Sequence, residues 1–562
     1  MLNLLLLVVL VLSTFISFKK GAEYAERNIY GTIWFCLIWV GWAIISIITV
    51  VRKKLWKRTA LFFIHFSFLL IFFGALATRS FGSRGYLILV RGKPSNSYIE
   101  YGSGSIKMLP FVMELKKFEI LYYSDSETPS DYVSHLLVSE GESLPMNRRV
   151  SMNRIFRYKG YRIYQSSYDI EEEGNWLTVN FDPIGTAITY SGYILFLISM
   201  LCWLLSPLGE FMRILKNPLL RKGLSIIVLL LITSCSTPNH NSNPTVGERL
   251  YYQTGQTCQA VDSGEVIRVT LELNESVGSN QMMEKLPGVK AKIEKVYNSV
   301  GKSRLHFIFN ILAGVLGLVL ILFVSIKKEN YFKLLSRGYT LLISLSFLFL
   351  TLCYAVRWYI AGRVPLSGGY ETMMFMALFS MFTAIIFRKR SYFIIPFGFL
   401  ASGFCMLVAF LGDMNTNITP LLPVLASPWL SIHVSFIMMS YSLFTLTTFN
   451  GIVAIFIKAE RERLMLLSRF VLYPALYLLG AGIIFGSIWA NLSWGNYWSW
   501  DPKEVWALIA FMVYGGAVHT TSLVKTNISL KFHLFMLLAY LTLLMTYFGV
   551  NFFLGGMHSY AG

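Results

Sequence analysis

The sequence predicts an α-helical polytopic membrane protein of about 13 transmembrane helices, with a β-rich extracytoplasmic domain and a second, smaller extracytoplasmic insert. Three observations predict it. Of 562 residues, 55% are hydrophobic, and they fall into runs of about 17–25, long enough to cross roughly 30 Å of hydrocarbon. The basic residues cluster between those runs, at Arg52–Arg58, Arg213–Lys222, Lys327–Lys328, Arg388–Arg390 and Lys458–Arg463. With the N-terminus inside, every one of these clusters falls on the cytoplasmic side, as the positive-inside rule requires. Two long polar segments then face outside.

The elements follow in order. Spans are expected near 2–18, 31–51 and 59–78, and the first lacks a basic leader and an A-x-A site, so it reads as a retained anchor. Residues 79–185 contain alternating runs such as Tyr86-Leu87-Ile88-Leu89-Val90 and Tyr161-Arg162-Ile163-Tyr164, the period of half-buried strands. Spans near 186–206 and 224–236 come next. The second is short and ends Thr233-Ser234-Cys235 after Arg221-Lys222, similar to a bacterial lipoprotein signal with a lipid-modified cysteine; an ordinary short helix is the plainer reading. A Pro/Asn/Ser-rich linker opens the insert 237–305. Eight further spans are expected near 306–326, 337–360, 370–387, 391–411, 431–457, 471–490, 503–523 and 532–553. This divides the chain into 1–78, 79–185, 186–236, 237–305 and 306–562.

The net charge of +19 is accounted for by topology and anionic-lipid contact, so nucleic acid is excluded as a partner and the bilayer is expected as one. Six cysteines form no C-x-x-C and no C-x-x-C-H. The chain therefore has no thioredoxin-like motif and no covalent haem site of its own. Cys36, Cys202, Cys353 and Cys405 lie in apolar runs, where a thiol acts as a small hydrophobe.

Residues 494–501, Trp-Gly-Asn-Tyr-Trp-Ser-Trp-Asp, are expected outside between two spans. An interfacial aromatic belt is the bland reading. The loop character of Gly495, Asn496 and Ser499, and histidines on the same face, favour a shelf for a large flat ligand. Asp501-Pro502-Lys503-Glu504 has the pattern of an N-cap, a proline at the first helical position and a capping-box glutamate. Asp501 is thus expected to fix the loop by starting the next helix.

Imidazole is a common axial ligand of haem iron, and ionisable residues inside a membrane are functional candidates by default. His433, at the start of a span, and His558, after the last one, are expected level with the aromatic loop. His519 lies roughly 24 Å below the outer face and His65 roughly 9 Å above the inner face at 1.5 Å per residue, which places both in the inner half of the bilayer. His306 and His533 start spans and read as interfacial; His135 and His240 read as solvated.

Trp494 through Trp506 resembles the tryptophan-rich "WWD" signature of haem-handling membrane proteins. Pro365-Leu-Ser-Gly-Gly-Tyr370-Glu371-Thr and Gly556-Met557-His558-Ser559-Tyr560 are similar to parts of the CcsA/ResC family, and the N-terminal half, with His65 and its outside β domain, resembles CcsB/ResB. Together they resemble a fused System II cytochrome c synthase of a bacterial inner membrane with its active face in the periplasm. The resemblance implies that haem b enters through His65 and His519. It then passes to His433 and His558, held against Trp494, Trp498 and Trp500, with Asp501 completing the catalytic loop. There it is joined to the C-x-x-C-H of an apocytochrome c, with a thioredoxin-like thiol reductant as a further partner. The alternatives are a haem transporter or chaperone without ligation activity, and a b-type cytochrome; the latter often pairs ligands on one helix, whereas each candidate here sits on a different span or loop. The insert 237–305 has no counterpart in that pattern.

Overall fold

A computed structural model describes residues 2–123, 127–169, 174–207, 209–217, 292–299, 304–324, 329–389, 391, 393–519 and 528–554, along with 288 and 290. The short span 224–236, Cys235, His240, His558 and nearly all of the insert 237–305 lie outside the described residues. Each of the other expected spans has its helix. Ten helices among the described residues are long and apolar enough to cross a membrane. Pro502–His519 is not among these ten, since its 18 residues include the charged Lys503 and Glu504 at the start.

Apolar side chains cover these helices on all sides, as lipid requires. Trp34, Leu37, Ile44 and Ile48 of the helix Ile33–Arg52 are exposed. The central helices Gly369–Phe387, Ile394–Leu411, Pro428–Phe456 and Arg461–Trp494 are instead largely enclosed. The last begins ten residues before the expected 471, because Arg461, Glu462 and Arg463 carry the helix on past its apolar stretch. Pro474 lies inside it.

Small residues bring helices together where lipid supplies no hydrophobic drive. The helix Thr59–Phe81 packs on Pro183–Leu205 through Gly74, Gly185 and Gly192. A Cβ at Gly74 would sit 2.2 Å from Thr189 Oγ1, and one at Gly185 2.1 Å from Thr78 Oγ1. These two helices carry the β domain between them.

That domain is one antiparallel sheet of eight strands: β1 Ser83–Val90, β2 Ser95–Glu100, β3 Ile106–Tyr122, β4 Pro129–Ser139, β5 Met146–Ser151, β6 Phe156–Tyr158, β7 Tyr161–Asp169 and β8 Gly174–Phe181. Their order is β5-β4-β3-β2-β1-β8-β7-β6, and the sheet curls until β5 lies beside β6 and β7. Alternation puts Leu87, Leu89, Ile163, Leu177 and Val179 into its core. A buried polar triad helps close the curl: Asn175 donates to Ser134 (2.5 Å), Ser134 to Gln165 (2.5 Å) and Gln165 back to Asn175 (3.1 Å).

Two expectations about histidines are corrected. His533 is fully buried rather than interfacial, its Nε2–H donating to the Arg461 carbonyl at 3.1 Å, because the following helix packs against the start of Arg461–Trp494. His306 is half-buried in a polar group with Ser346 (3.1 Å) and Asn310 (3.5 Å) between two helices. His135 is partly exposed, as expected, and also meets Glu119 across the sheet at 3.2 Å.

Candidate functional site

The aromatic loop begins where the helix Arg461–Trp494 ends. Gly495 takes the left-handed conformation (φ 75°) and its N–H bonds to the Asn491 carbonyl at 3.2 Å, the usual glycine stop. The next helix starts as the Asp-Pro motif demands: Asp501 Oδ1 accepts from the Lys503 N–H at 3.1 Å. Glu504 departs from the simple capping box. It reaches past the cap to accept from the Ser499 N–H at 2.8 Å and the Ser499 hydroxyl at 3.3 Å, so it ties the loop to its own helix.

Between these ends the tryptophans take different environments. Trp500 has φ 58°, a conformation costing about 1–2 kcal/mol for a residue with a Cβ. Aromatic packing holds it there: it stacks on Tyr30 (4.6 Å, 9°) and meets Phe35 edge-on at 5.1 Å. Trp498 stands perpendicular to it at 5.8 Å. Trp494 packs edge-on to Trp489 at 4.8 Å. All three loop tryptophans remain half-buried. Trp500 is therefore a joint to the N-terminal helices as well as a candidate contact surface.

The N-terminal half grips the loop base from the sheet side. Arg84 of β1 donates to the Trp494 carbonyl at 3.1 Å, Asn180 of β8 to the Gly495 carbonyl, and Arg162 of β7 to Asn491 Oδ1 at 3.4 Å. Tyr164 lies against Gly495, where a Cβ would approach its ring to 2.8 Å. Burial disfavours the charged form of Arg84. A second Asp-Pro helix start joins the same lattice. Asp182 caps Pro183–Leu205 through the Gly185 N–H (3.0 Å) and accepts from Thr78 Oγ1 (2.7 Å). With that hydroxyl proton committed, Tyr497 OH donates to Thr78 (2.6 Å).

His65 and His519 meet, with ring centres 6.4 Å apart and planes 82° to one another. Each Nδ1 faces a carbonyl four residues earlier, Leu61 and Gly515, at 2.8 Å. A carbonyl only accepts, so both Nδ1 atoms carry the proton and the basic lone pair of each ring is on Nε2. Two metal–nitrogen bonds of about 2.0–2.1 Å, each continued by about 1.2 Å to the ring centre, span about 6.5 Å. The 6.4 Å between the two ring centres is close to that span. Gly515 and Gly516, one turn before His519, have open space where a Cβ would stand, which leaves a bare face beside the imidazole. That signal was present in the sequence, since residues three and four apart share a helix face.

His433 is set in the same tautomer. Its Nδ1–H donates to the Gly482 carbonyl at 2.7 Å, and Gly486 makes room, because a Cβ there would lie 2.7 Å from Nδ1. His433 is half-buried, one turn into the helix Pro428–Phe456. Its expected partner His558 lies outside the described residues. Among the described residues no group of three or more His, Cys, Asp or Glu side chains is placed to hold a metal.

Sequence reasoning missed a buried ion network beside the loops 362–368 and 412–427. Glu371 accepts from Arg357 Nε (2.9 Å), Arg363 Nη1 (3.0 Å) and the Ser367 N–H (3.0 Å). Arg357 also binds the carbonyls of Thr416 (2.8 Å) and Asn417 (3.1 Å). It ties together the loop that precedes Gly369–Phe387 and the loop that precedes Pro428–Phe456. No local pattern announces it, because its members come from three segments.

The fold and site define a polytopic membrane protein in which a β domain grips the loop 494–501 and each of two halves supplies one histidine of a close pair, His65 half-buried and His519 exposed. Residues 366–558 match the family described as cytochrome C assembly protein, and residues 46–218 match the ResB-like family. The cytochrome c biogenesis protein CcsA of Guillardia theta is 30% identical over 46% of this chain and 93% of its own. CcsA of a Synechococcus strain is 35% identical over 33% and 72%. Protein NrfI of Wolinella succinogenes is 25% identical over 82% of this chain and 72% of its own, and so spans both halves. The chain belongs to the CcsA family of cytochrome c assembly proteins, with a ResB-like part fused ahead of it, the layout of a CcsBA-type fusion.

Proposed function

We propose that this protein is a cytochrome c synthase of a bacterial inner membrane that carries haem b outward and attaches it to apocytochrome c on the periplasmic face. The observation that carries this reading is the meeting of His65 and His519, one from each matched half, at a spacing suited to a single metal between two imidazoles. Haem is the substrate. It enters from the cytoplasmic side, is held by His65 and His519, and moves to His433 and His558 beside Trp494, Trp498 and Trp500. Asp501 acts by fixing the loop.

The bond-forming step adds each cysteine S–H of the C-x-x-C-H motif across a haem vinyl C=C. Sulfur bonds to one vinyl carbon and hydrogen to the other, with no net oxidation. The protein's contribution is positioning, since holding thiols and vinyls in register removes much of the entropic barrier. The thiols must arrive reduced, which implies a thioredoxin-like reductant as a partner.

The test is co-expression with a C-x-x-C-H apocytochrome in a host lacking its own maturation system. Covalent haem in the apocytochrome, detected by denaturing gel and haem stain, is expected. Free haem outside the cell with no covalent product would instead fit an exporter and end the synthase reading.

A further inference from the structure

The β-sheet presents a row of cations to the aromatic loop that the hydrogen bonds there leave incompletely satisfied. Arg84 of β1 is the register partner of Asn180 of β8, Asn180 of Arg162 of β7, and Arg162 of Arg157 of β6. Directly opposed residues in an antiparallel sheet point to the same face. Arg84, Asn180, Arg162 and Arg157 therefore form one rung across four strands, close to where β1 and β8 join the membrane helices. Asn180 and Arg84 place this face against the Gly495 and Trp494 carbonyls.

Three guanidinium groups on one rung repel one another, and Arg157 and Arg162 are directly opposed. Their hydrogen bonds go to a backbone carbonyl from Arg84 and to an amide oxygen from Arg162. Among the described residues none of the three is ion-paired to a carboxylate; Glu26 acts on Arg84 only through its field. Arg84 Nε is buried without a hydrogen-bond partner among the described residues, and such a donor in a folded protein calls for an explanation. Arg157 is exposed, and Arg162 and Arg84 are half-buried, so the row can be reached from outside.

We infer that this rung is a carboxylate-receiving site that takes the propionates of a haem held against the tryptophan-rich loop. The inference rests on the haem reading above and assigns the residues that orient the porphyrin edge. Strands lie about 4.8 Å apart, so Arg162 starts about 10 Å from Arg84 and about 5 Å from Arg157, a spacing that the flexible side chains of two carboxylates can bridge. Guanidinium favours carboxylate by its paired, planar N–H groups. A lipid phosphate shares this chemistry, but the rung contacts the backbone of the loop that carries Trp494 and Trp498, which favours a ligand lying on that loop. The arginines are positioning residues: they fix which edge of the porphyrin faces the sheet, and hence where the vinyls point.

The experiment titrates the full chain carrying His519→Ala, which removes the inner pair, in phosphatidylcholine nanodiscs with haem or with haem dimethyl ester, read by Soret absorbance. Haem is expected to bind about tenfold or more tightly than the ester, as charge-assisted hydrogen bonds imply. Adding Arg84→Gln, Arg162→Gln and Arg157→Gln together erases that preference, so that haem binds no more tightly than the ester to the same variant. Arg157→Gln alone, at an exposed position, lowers the preference in the same direction and guards against misfolding of the triple variant. Equal binding of haem and ester by the parent overturns the rung while leaving the outer haem site standing. Binding of neither overturns the outer haem site and the rung with it. Loss of haem preference when phosphatidylglycerol replaces phosphatidylcholine, with ester binding unaffected, assigns the rung to lipid headgroups and likewise overturns it.

Discussion

Gly515→Leu and Gly516→Leu separate haem binding from folding. At most tight glycines of this protein an added Cβ meets a neighbour at once: 2.6 Å from Ile437 at Gly482 and 2.3 Å from Ala384 at Gly398. At Gly515 and Gly516 it meets nothing within 4 Å. Replacing glycine within a helix removes backbone freedom from the unfolded chain and gains roughly 0.5–1 kcal/mol, so each variant folds as well as the parent or slightly better. The leucine fills the open face beside His519 that a porphyrin needs. Overlap of that kind costs about 1–3 kcal/mol, equivalent to about 5- to 150-fold weaker haem binding. The assay pairs a thermal melt of the purified full chain with pyridine haemochrome content of the same sample. Unchanged or raised melting with haem content down at least fivefold is expected. Wild-type haem content in both leucine variants would refute the placement of haem between His65 and His519.

The outer site allows a similar test by crowding: Gly486→Ala puts a methyl 2.7 Å from His433 Nδ1, so maturation of a co-expressed apocytochrome drops several-fold, whereas the open Gly515→Ala leaves His433 undisturbed. His433→Gly abolishes maturation and added imidazole partly restores it; full activity without imidazole would remove His433 from the site. Arg357→Met strips one partner from the buried Glu371 carboxylate and destabilises the chain by about 3–5 kcal/mol, while Arg357→Met with Glu371→Gln recovers part of the loss in a denaturation series. In the β domain, hydrogen bonds from Lys107 and then Ser103 hold the Glu100 carboxyl down at about 2, against 4.5 ordinarily. A depressed folded pKa means this stabilisation is present above pH 4.5 and is lost as pH falls toward 2. Melting temperature across that window falls less steeply in Glu100→Gln.

The layout of spans was legible because it is local. Hydropathy runs and the placement of Arg and Lys follow from the solvent each segment meets, and they recover Thr59–Phe81 or Gly369–Phe387 within a few residues. The boundary at Arg461 was less legible, since charged residues end an apolar run without ending a helix. Asp501 as a helix start was legible too, because a cap acts over three residues.

The site divides along the same line. Depth is a one-dimensional quantity, and counting residues along two helices put His65 and His519 at one level. Whether they meet depends on which helices are neighbours and how each is rotated, and packing alone decided the 6.4 Å contact. The same holds for Trp500 locked between Tyr30 and Phe35, and for His433 seated on Gly482 and Gly486. The arginine rung depends on strand register, where a shift of one residue turns every side chain to the other face. The sequence by itself determined which segments are apolar enough to cross the membrane, which form the sheet between them and where the chemistry-bearing residues stand along them, because those properties are set by each segment's own solvent and neighbours. Only the tertiary structure decided which of those residues face one another, because that is set by contacts between residues hundreds of positions apart.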